Sequence, residues 1–457
     1  MNLVNIGLTG LNASRVALDV TAQNVANINT PGYSRQQALM ASVGGPKHDK
    51  LSAGAGVEVP SIRRISDEFL VKQTWQTNSI ASYAERYTTN FSQLENTLKA
   101  DGFSISTGLD KFFNALNDAS VTPDSTPLRQ QIINEAEALS RRFNTLTESL
   151  YNQHKEMSDQ RTATVNHANS LMVNIADINN QVVEMRGTGG NPAQLLDERD
   201  SLIGELSKLI EVKTTKQADG SLQLSLSSGQ PLVIGGDAGQ IQALPDAGDP
   251  YLAKMQIEFG VQVYPVPGAM GGKMGALNDY QTDILKPYRN ALDDMASNLA
   301  DEVNTVLATG LDLQGNPGAA LFEYDSANPA ASLTITSITP DQLAFSSDGN
   351  HGNSDVLKDL VSLSNKAMAV SGFGNTSLND AFVSMVGKTA IKARQASSDY
   401  KAKSLLNEQA IAARDNVSSV NSDEEAANLM TFANAHNANM KVISTANELF
   451  ESVLRLF

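Results

Sequence analysis

The side chains able to ligate a metal, shuttle a proton or cradle a phosphate are few in this chain and badly spaced for it. Its five histidines are His48, His154, His167, His351 and His436. No two stand four apart, as one helix face would need, or two apart, as one strand face would need, and a metal requires ligands that converge. There are no cysteines, so neither a thiolate site nor a disulfide framework exists. Residues 268–273 look faintly like a phosphate loop. That motif needs glycine at 267 and serine or threonine at 274, and the chain has Pro267 and Met274. Neither a nucleophile elbow nor a paired-glycine dinucleotide fingerprint occurs. The acidic run Asp423-Glu424-Glu425 reads as a helix start. Ser422 with Glu425, or Asn421 with Glu424, fits a capping box, and acidic groups favour the positive end of the helix dipole. The expectation is no catalytic residue, no cofactor and no metal.

The pattern that does stand out is apolar and lies at the two ends. Val4, Leu11, Leu18 and Val25 fall seven residues apart, with Leu8 and Ala22 four after two of them. Leu429, His436, Ile443, Phe450 and Phe457 repeat that spacing, with Ala433, Met440, Asn447 and Leu454 four after them. Such spacing lays a narrow apolar seam along one side of a helix. Neither seam has a core of its own to lie on, so the two are expected to pair with each other and with other copies. Val4, Leu11, Leu18 and Val25, and Met440, Ile443, Phe450 and Leu454, are the candidate interface residues. The chain reads as a building block before it reads as an enzyme.

After the first seam comes Asn24-Val25-Ala26-Asn27-Ile28-Asn29-Thr30-Pro31-Gly32-Tyr33-Ser34-Arg35-Gln36. Its asparagines compete for backbone hydrogen bonds and weaken the helix. Pro31 disfavours helix at Thr30, and Pro31-Gly32 makes a turn. This string resembles the signature of the flagellar axial proteins, the rod, hook and hook-associated proteins, at Asn27, Thr30, Pro31, Gly32, Tyr33, Arg35 and Gln36. Its Tyr-Ser-Arg-Gln ending is most similar to the hook-associated members. Further segments resemble the same family in order along the chain: Pro127-Leu128-Arg129-Gln130-Gln131 leading to Arg142-Phe143-Asn144, Leu196-Asp197-Glu198-Arg199-Asp200, Gly271-Gly272-Lys273-Met274-Gly275-Ala276-Leu277 and Asp423-Glu424-Glu425-Ala426-Ala427-Asn428-Leu429. Ser422 stands where an apolar residue is expected and His436 where an aromatic is usual.

Composition is consistent with a packed protein. Hydrophobic content is 41% and net charge is −16, from 34 Lys+Arg against 50 Asp+Glu. No long basic cluster stands out, which argues against nucleic acid or anionic lipid as a partner. No run of about eighteen apolar residues occurs, so no membrane insertion is expected. Asn12, Arg15 and Asp19 interrupt the first 25 residues, which therefore do not read as a cleaved secretory signal.

Periodicity predicts helices over 67–98 and 106–119, with Trp75, Tyr83 and Tyr87 as core or interface aromatics. Asp101-Gly102 breaks between them. Thr126 reads as an N-cap with Pro127 at the first helical position. From Leu128 to about Arg186 the three–four spacing holds without a break, roughly 55 residues or about 80 Å of helix. Another helix follows Asn191-Pro192. The period changes at Val212: Leu222, Leu224 and Leu226 alternate with polar residues after the Asp219-Gly220 turn, and 232–234, 255–259 and 261–263 also read as strands. Helix returns over 274–307. Residues 310–345, with their alternating 333–338, are expected to add strands to the same β unit, and helices resume from Asp355.

The fold class that follows is mainly α with an inserted β domain: an elongated, multidomain axial protein with terminal helices in a coiled coil, a long-helix bundle and a small β domain. The divisions are 1–60 plus 405–457 for the terminal helices, 61–212 plus 273–310 plus 351–404 for the long helices, and 213–272 plus 311–350 for the β part. The resemblance implies a structural adaptor that joins hook to filament in the bacterial flagellum. Copies would assemble as a ring through the terminal helices, with the hook protein, a second junction protein, an export chaperone and the flagellar export apparatus as partners. It implies an extracellular place at the hook–filament junction, reached without a cleaved signal. The alternatives are another hook or rod component, or a secreted enzyme or effector carried on an axial scaffold. The last would show a convergent polar pocket in its β domain.

Overall fold

The computed structural model describes residues 2–44, 54–266, 268 and 270–455. His48, Pro267 and the seam position Phe457 lie outside them.

Helix α1 (Asn2–Ala26) leads into a hairpin of β1 (Gln36–Val43) and β2 (Gly56–Arg64). The hairpin falls in the part expected to hold the terminal helix alone. Helix α2 (Glu68–Lys99) starts where Asp67 accepts from the Phe69 and Leu70 amides at 2.8 and 3.2 Å. Helix α3 (Ile105–Ala119) starts where the Ser104 hydroxyl accepts from the Thr107 amide. Helix α4 (Thr126–Gly187) is 62 residues long, about 90 Å at 1.5 Å per residue. Ser125 rather than Thr126 holds its cap position, and Pro127 sits in its first turn, where a missing donor costs nothing. Helix α5 (Ala193–Leu209) follows.

The β insertion comprises β3 (Val212–Lys216), β4 (Leu222–Leu226), β5 (Pro231–Ile234), β6 (Asp237–Ala238), β7 (Gln240–Asp246), β8 (Asp249–Phe259) and β9 (Gln262–Pro265). They form an antiparallel four-stranded sheet, β3-β4-β5-β6, and an antiparallel three-stranded sheet, β7-β8-β9. Leu222, Leu224 and Leu226 are buried on one face while Gln223 and Ser225 are less so, as period-two alternation requires.

The helix expected over 274–307 arrives in three pieces: α6 (Gly272–Tyr280), a π-helical turn over Gln281–Leu285, and α7 (Lys286–Leu307). Pro287 explains the interruption. It has no amide to give to residue 283, and its ring crowds that carbonyl. The ladder shifts instead, so that the Lys286 amide reaches back to the Gln281 carbonyl.

Residues 310–350 do not extend the β insertion. Their strands are β10 (Phe322–Glu323) and β11 (Thr334–Ile335), paired with each other around α8 (Pro329–Ser332), with isolated bridges from Leu311 to Pro317 and Ser346. Leu321, Phe322, Leu333 and Phe345 are buried in the core of the long helices, which holds the segment there. Helix α9 (Asp355–Ser362), the hairpin of β12 (Met368–Val370) and β13 (Gly374–Thr376), and helix α10 (Leu378–Ser418) complete this part. Helix α10 runs unbroken across the division expected at 404/405. Helix α11 (Ser422–Leu454) ends the described chain.

Two cores hold the long helices. One gathers Phe91, Phe112, Phe143, Tyr280, Leu292 and Phe382 from α2, α3, the first half of α4, α6, α7 and α10. The other joins Trp75, Met172, Ile175, Ile203 and Leu206 to the inner faces of both sheets, at Leu224, Val233 and Ile257. The architecture is mainly α with an inserted β unit and paired terminal helices.

Candidate functional site

The two end helices pack on each other. The Asn439 side chain donates to the Ser14 hydroxyl at 3.4 Å, and Asn24 donates to the Glu425 carboxylate at 3.1 Å. The partner number falls as the first rises, so the pair is antiparallel. Contact is made through small residues. A methyl group on Gly7 would lie 2.7 Å from Cγ1 of Ile443, and one on Gly10 would lie 2.6 Å from the Asn439 side chain. Ala13, Ala17 and Val20 are buried on the same helix.

The expected seams therefore meet only in part. Val4, Leu11 and Leu18 are half-buried and Val25 is exposed. On α11, Ile443 packs against Gly7, while Met440, Phe450 and Leu454 are 50%, 65% and 60% exposed. At the end of α11, Phe450, Val453 and Leu454 are exposed. The side chains that close the pair are small because close backbone approach needs them so.

The base of the pair is anchored by the segment after α1. Asn24, 1% exposed, uses both ends of its amide. Its oxygen accepts from the Tyr33 hydroxyl and the Gln36 amide, each at 2.9 Å, and its nitrogen donates to the Gln36 carbonyl at 2.9 Å as well as to Glu425. Asn27 accepts from the Thr30 hydroxyl at 3.1 Å. Pro31-Gly32 turns the chain, with Gly32 at φ +82°, a conformation that costs glycine little. The Ser34 amide then donates to Asp197 at 3.0 Å. The Arg35 amide donates to the Ser418 carbonyl at 2.8 Å, and its guanidinium pairs with Glu425 at 2.8 Å and Glu424 at 2.5 Å. Arg64 bridges Asp197, at 2.8 Å, and Asp200. Six of the seven signature residues thus sit in one segment, and the seventh, Gln36, opens β1; together they tie α1 to the β1–β2 hairpin, α5 and the α10–α11 corner.

Burial sets the electrostatics here. It pushes the Tyr33 hydroxyl up to about 12, with the Asp197 charge adding to it. It also raises Asp197 above the usual carboxylate range, and Arg64 and the Ser34 amide only partly offset this. Asn421 is the cap of α11, accepting from the Asp423 and Glu424 amides at 2.9 and 3.4 Å. Glu424 and Glu425 turn to Arg35 instead of closing a capping box.

Asn24, Arg64, Asp197 and Glu425 were not picked out as site residues by spacing. Three of them do lie in or beside strings that carry the resemblance: Asn24 opens one, and Asp197 and Glu425 lie inside others. Other such strings also prove to be fasteners. Arg129 donates to the Pro123, Pro340 and Leu343 carbonyls at 2.5, 3.0 and 2.7 Å. Asn144 donates to those of Ala330, Ala331 and Leu333. Among the described residues no group of three or more metal-ligating side chains converges, and no helix is long and apolar enough to cross a membrane.

Comparison with known proteins separates the middle from the ends. Residues 91–322 match the model of the flagellar hook-associated protein FlgK helical domain, about half of the chain. Residues 5–33 match that of the flagella basal body rod protein, and residues 414–456 that of the flagellar basal body rod FlgEFG protein C-terminal. The flagellar hook-associated protein 1 of Escherichia coli K12 is 25% identical, with all of both chains aligned. That of Bacillus subtilis 168 is 26% identical over 97% of this chain and 96% of its own. The flagellar hook junction protein FlgK from Burkholderia pseudomallei superposes with a TM-score of 0.69 at 16% identity. The match covers 76% of this chain and 100% of that one, a likeness of fold.

Proposed function

The chain belongs to the flagellar hook-associated protein FlgK family, and from that premise we propose that it is the structural adaptor that joins hook to filament. The rod-like matches at the ends are what any axial subunit would carry. The middle, matching the FlgK helical domain, is what favours the junction over another hook or rod component. The role is structural rather than enzymatic, and it places the protein outside the cell in the flagellum.

The observation that carries the assembly reading is the exposed apolar face of α11. Met440, Phe450, Val453 and Leu454 present apolar surface that the chain's own α1 does not cover. Exposed apolar surface of this kind marks an interaction site. In the assembled ring the neighbouring copy's terminal helices would cover it, together with Leu11, Leu18 and Val25. Before export a small helical chaperone would lay a groove over the same face, so the two uses exclude each other. Hook protein below and a second junction protein above complete the partners.

A deletion strain tests the reading. It should carry hooks without filaments and release flagellin into the medium. Normal filaments on that strain would overturn the assignment.

A further inference from the structure

A concave region between β2, the first turns of α2, the last turn of α4, α5 and β3 has a cavity of about 380 Å³. In a chain of net charge −16 its walls are basic. Arg63, Arg64, Lys72, Arg186, Arg199 and Lys216 face it, against Glu68 and Asp200. Two of the cations are engaged, Arg64 with Asp197 and Asp200 and Lys216 with Glu68. Asp219 stands near enough to feel Arg186. Among the described residues, Arg63, Lys72, Arg186 and Arg199 form no ion pair within 4 Å.

Arg199 makes this more than a basic surface. It is 4% exposed, and its Nη1 donates to the Asn179 side chain at 3.0 Å and the Gly220 carbonyl at 3.1 Å. Its Nε is buried without a partner. A buried guanidinium charge left unpaired is costly, and an anion in the cavity would neutralise it. Burial holds Arg199 down to about 10, with the Asp200 charge opposing. Val71, Trp75, Leu196 and Leu222 supply an apolar wall beside the cations.

We propose that this pocket is an anion-binding site that takes paired carboxylates from an acidic protein segment. The guanidinium fork matches a carboxylate in two-point geometry. The apolar wall suits the methylenes of Asp and Glu, and the volume admits more than a lone ion. None of this depends on the axial reading, and the isolated chain suffices to test it.

Trp75 is the sole tryptophan and lines the cavity, so its emission reports occupancy. Hexaglutamate titrated into the protein at low salt should change Trp75 emission saturably. Affinity should fall with added salt, and hexaglutamine should do nothing. Arg63→Glu with Lys72→Glu should weaken hexaglutamate binding at least tenfold. Both residues are exposed and line this cavity, so melting and far-ultraviolet circular dichroism should stay unchanged. A folded double variant that binds hexaglutamate as before overturns the proposal, and so does the absence of any saturable change in the parent. If inorganic pyrophosphate binds and hexaglutamate does not, the acidic-segment ligand is wrong.

Discussion

The long-helix core and the terminal helix pair bury their contacts in opposite ways. The core fills its centre with Phe91, Phe112, Phe143 and Tyr280, none more than 1% exposed. The pair closes through Gly7, Gly10 and Ser14, is pinned by the buried Asn24–Glu425 contact, and turns Met440, Phe450 and Leu454 outwards. The first arrangement is complete within one chain. In the second, the large side chains that would ordinarily form a centre are on the outside, as in a subunit whose centre is made by its neighbours.

The largest effect expected of a single substitution is therefore in the core. Phe143→Ala should destabilise the monomer by about 3–5 kcal/mol through lost burial and the cavity left behind. Denaturant unfolding checks this. A cost under about 1 kcal/mol would mean that the core can collapse around the gap.

The join between the two cores should show as a pH effect. His154 is 2% exposed and its Nε2 has no partner. Gln281 donates to its carbonyl, and Arg161 donates to Gln281. Burial pushes the imidazole down to about 4. Asp249 opposes this, while Arg289, Arg161 and Lys286 add to it. The unfolded imidazole titrates near 6.5, so between the two values the unfolded chain holds more protons. Stability is then fully present above about 6.5 and is lost as pH falls towards 4, by on the order of 2 kcal/mol. Urea unfolding at pH 4.5, 5.5 and 7 should show that slope, and His154→Phe should flatten it. An unchanged slope would mean that other groups set it.

How much of this was legible depends on range. The helices α2 to α5 and the strands β4, β5, β8 and β9 follow local periodicity, and their ends follow caps and turns a few residues long. The π turn over Gln281–Leu285 has its cause in Pro287, visible in the sequence, but periodicity alone ran through it. The fate of residues 310–350 was hidden because alternation at Leu333 and Ile335 says that one face is buried, not against what. The seams meet only in part for a related reason. A heptad of large residues marks an apolar stripe, and it does not say whether that stripe faces the same chain. The small residues that do face it, Gly7, Gly10 and Ser14, carry no hydrophobic signal. The signature string was legible as a string. Its meaning as an anchor needed Asp197 and Glu425, 163 and 401 residues from their partners Ser34 and Asn24.

The terminal pair should yield to overpacking before it yields to truncation. Gly7→Val would drive its side chain into Ile443 and should cost about 1–3 kcal/mol. The loss should be confined to the pair. Hydrogen exchange should speed in α1 and α11 and remain slow in α3 and α4. Faster exchange throughout would show that the pair and the core unfold as one unit.

The smallest effect on the monomer is expected where the effect on assembly is greatest. Phe450 is 65% exposed and Met440 50% exposed, so Phe450→Asp with Met440→Asp removes no contact that the isolated chain makes through a core. Surface changes of this kind usually stay within about 0.5 kcal/mol. In a ring the same face would be covered, and each large apolar side chain buried there would contribute on the order of 1.5–3 kcal/mol. Two charges on it should therefore leave the melting curve of the monomer in place and abolish both filament attachment and chaperone binding. A control keeps the comparison sharp. Val261 is 95% exposed at the tip of the β8–β9 hairpin, and Val261→Asp should change neither stability nor attachment. If the Phe450 and Met440 pair melts the monomer, the face is part of the chain's own fold. If it leaves filaments normal, the outward large residues have some other use, and the contrast between core and pair does not describe how the subunit assembles.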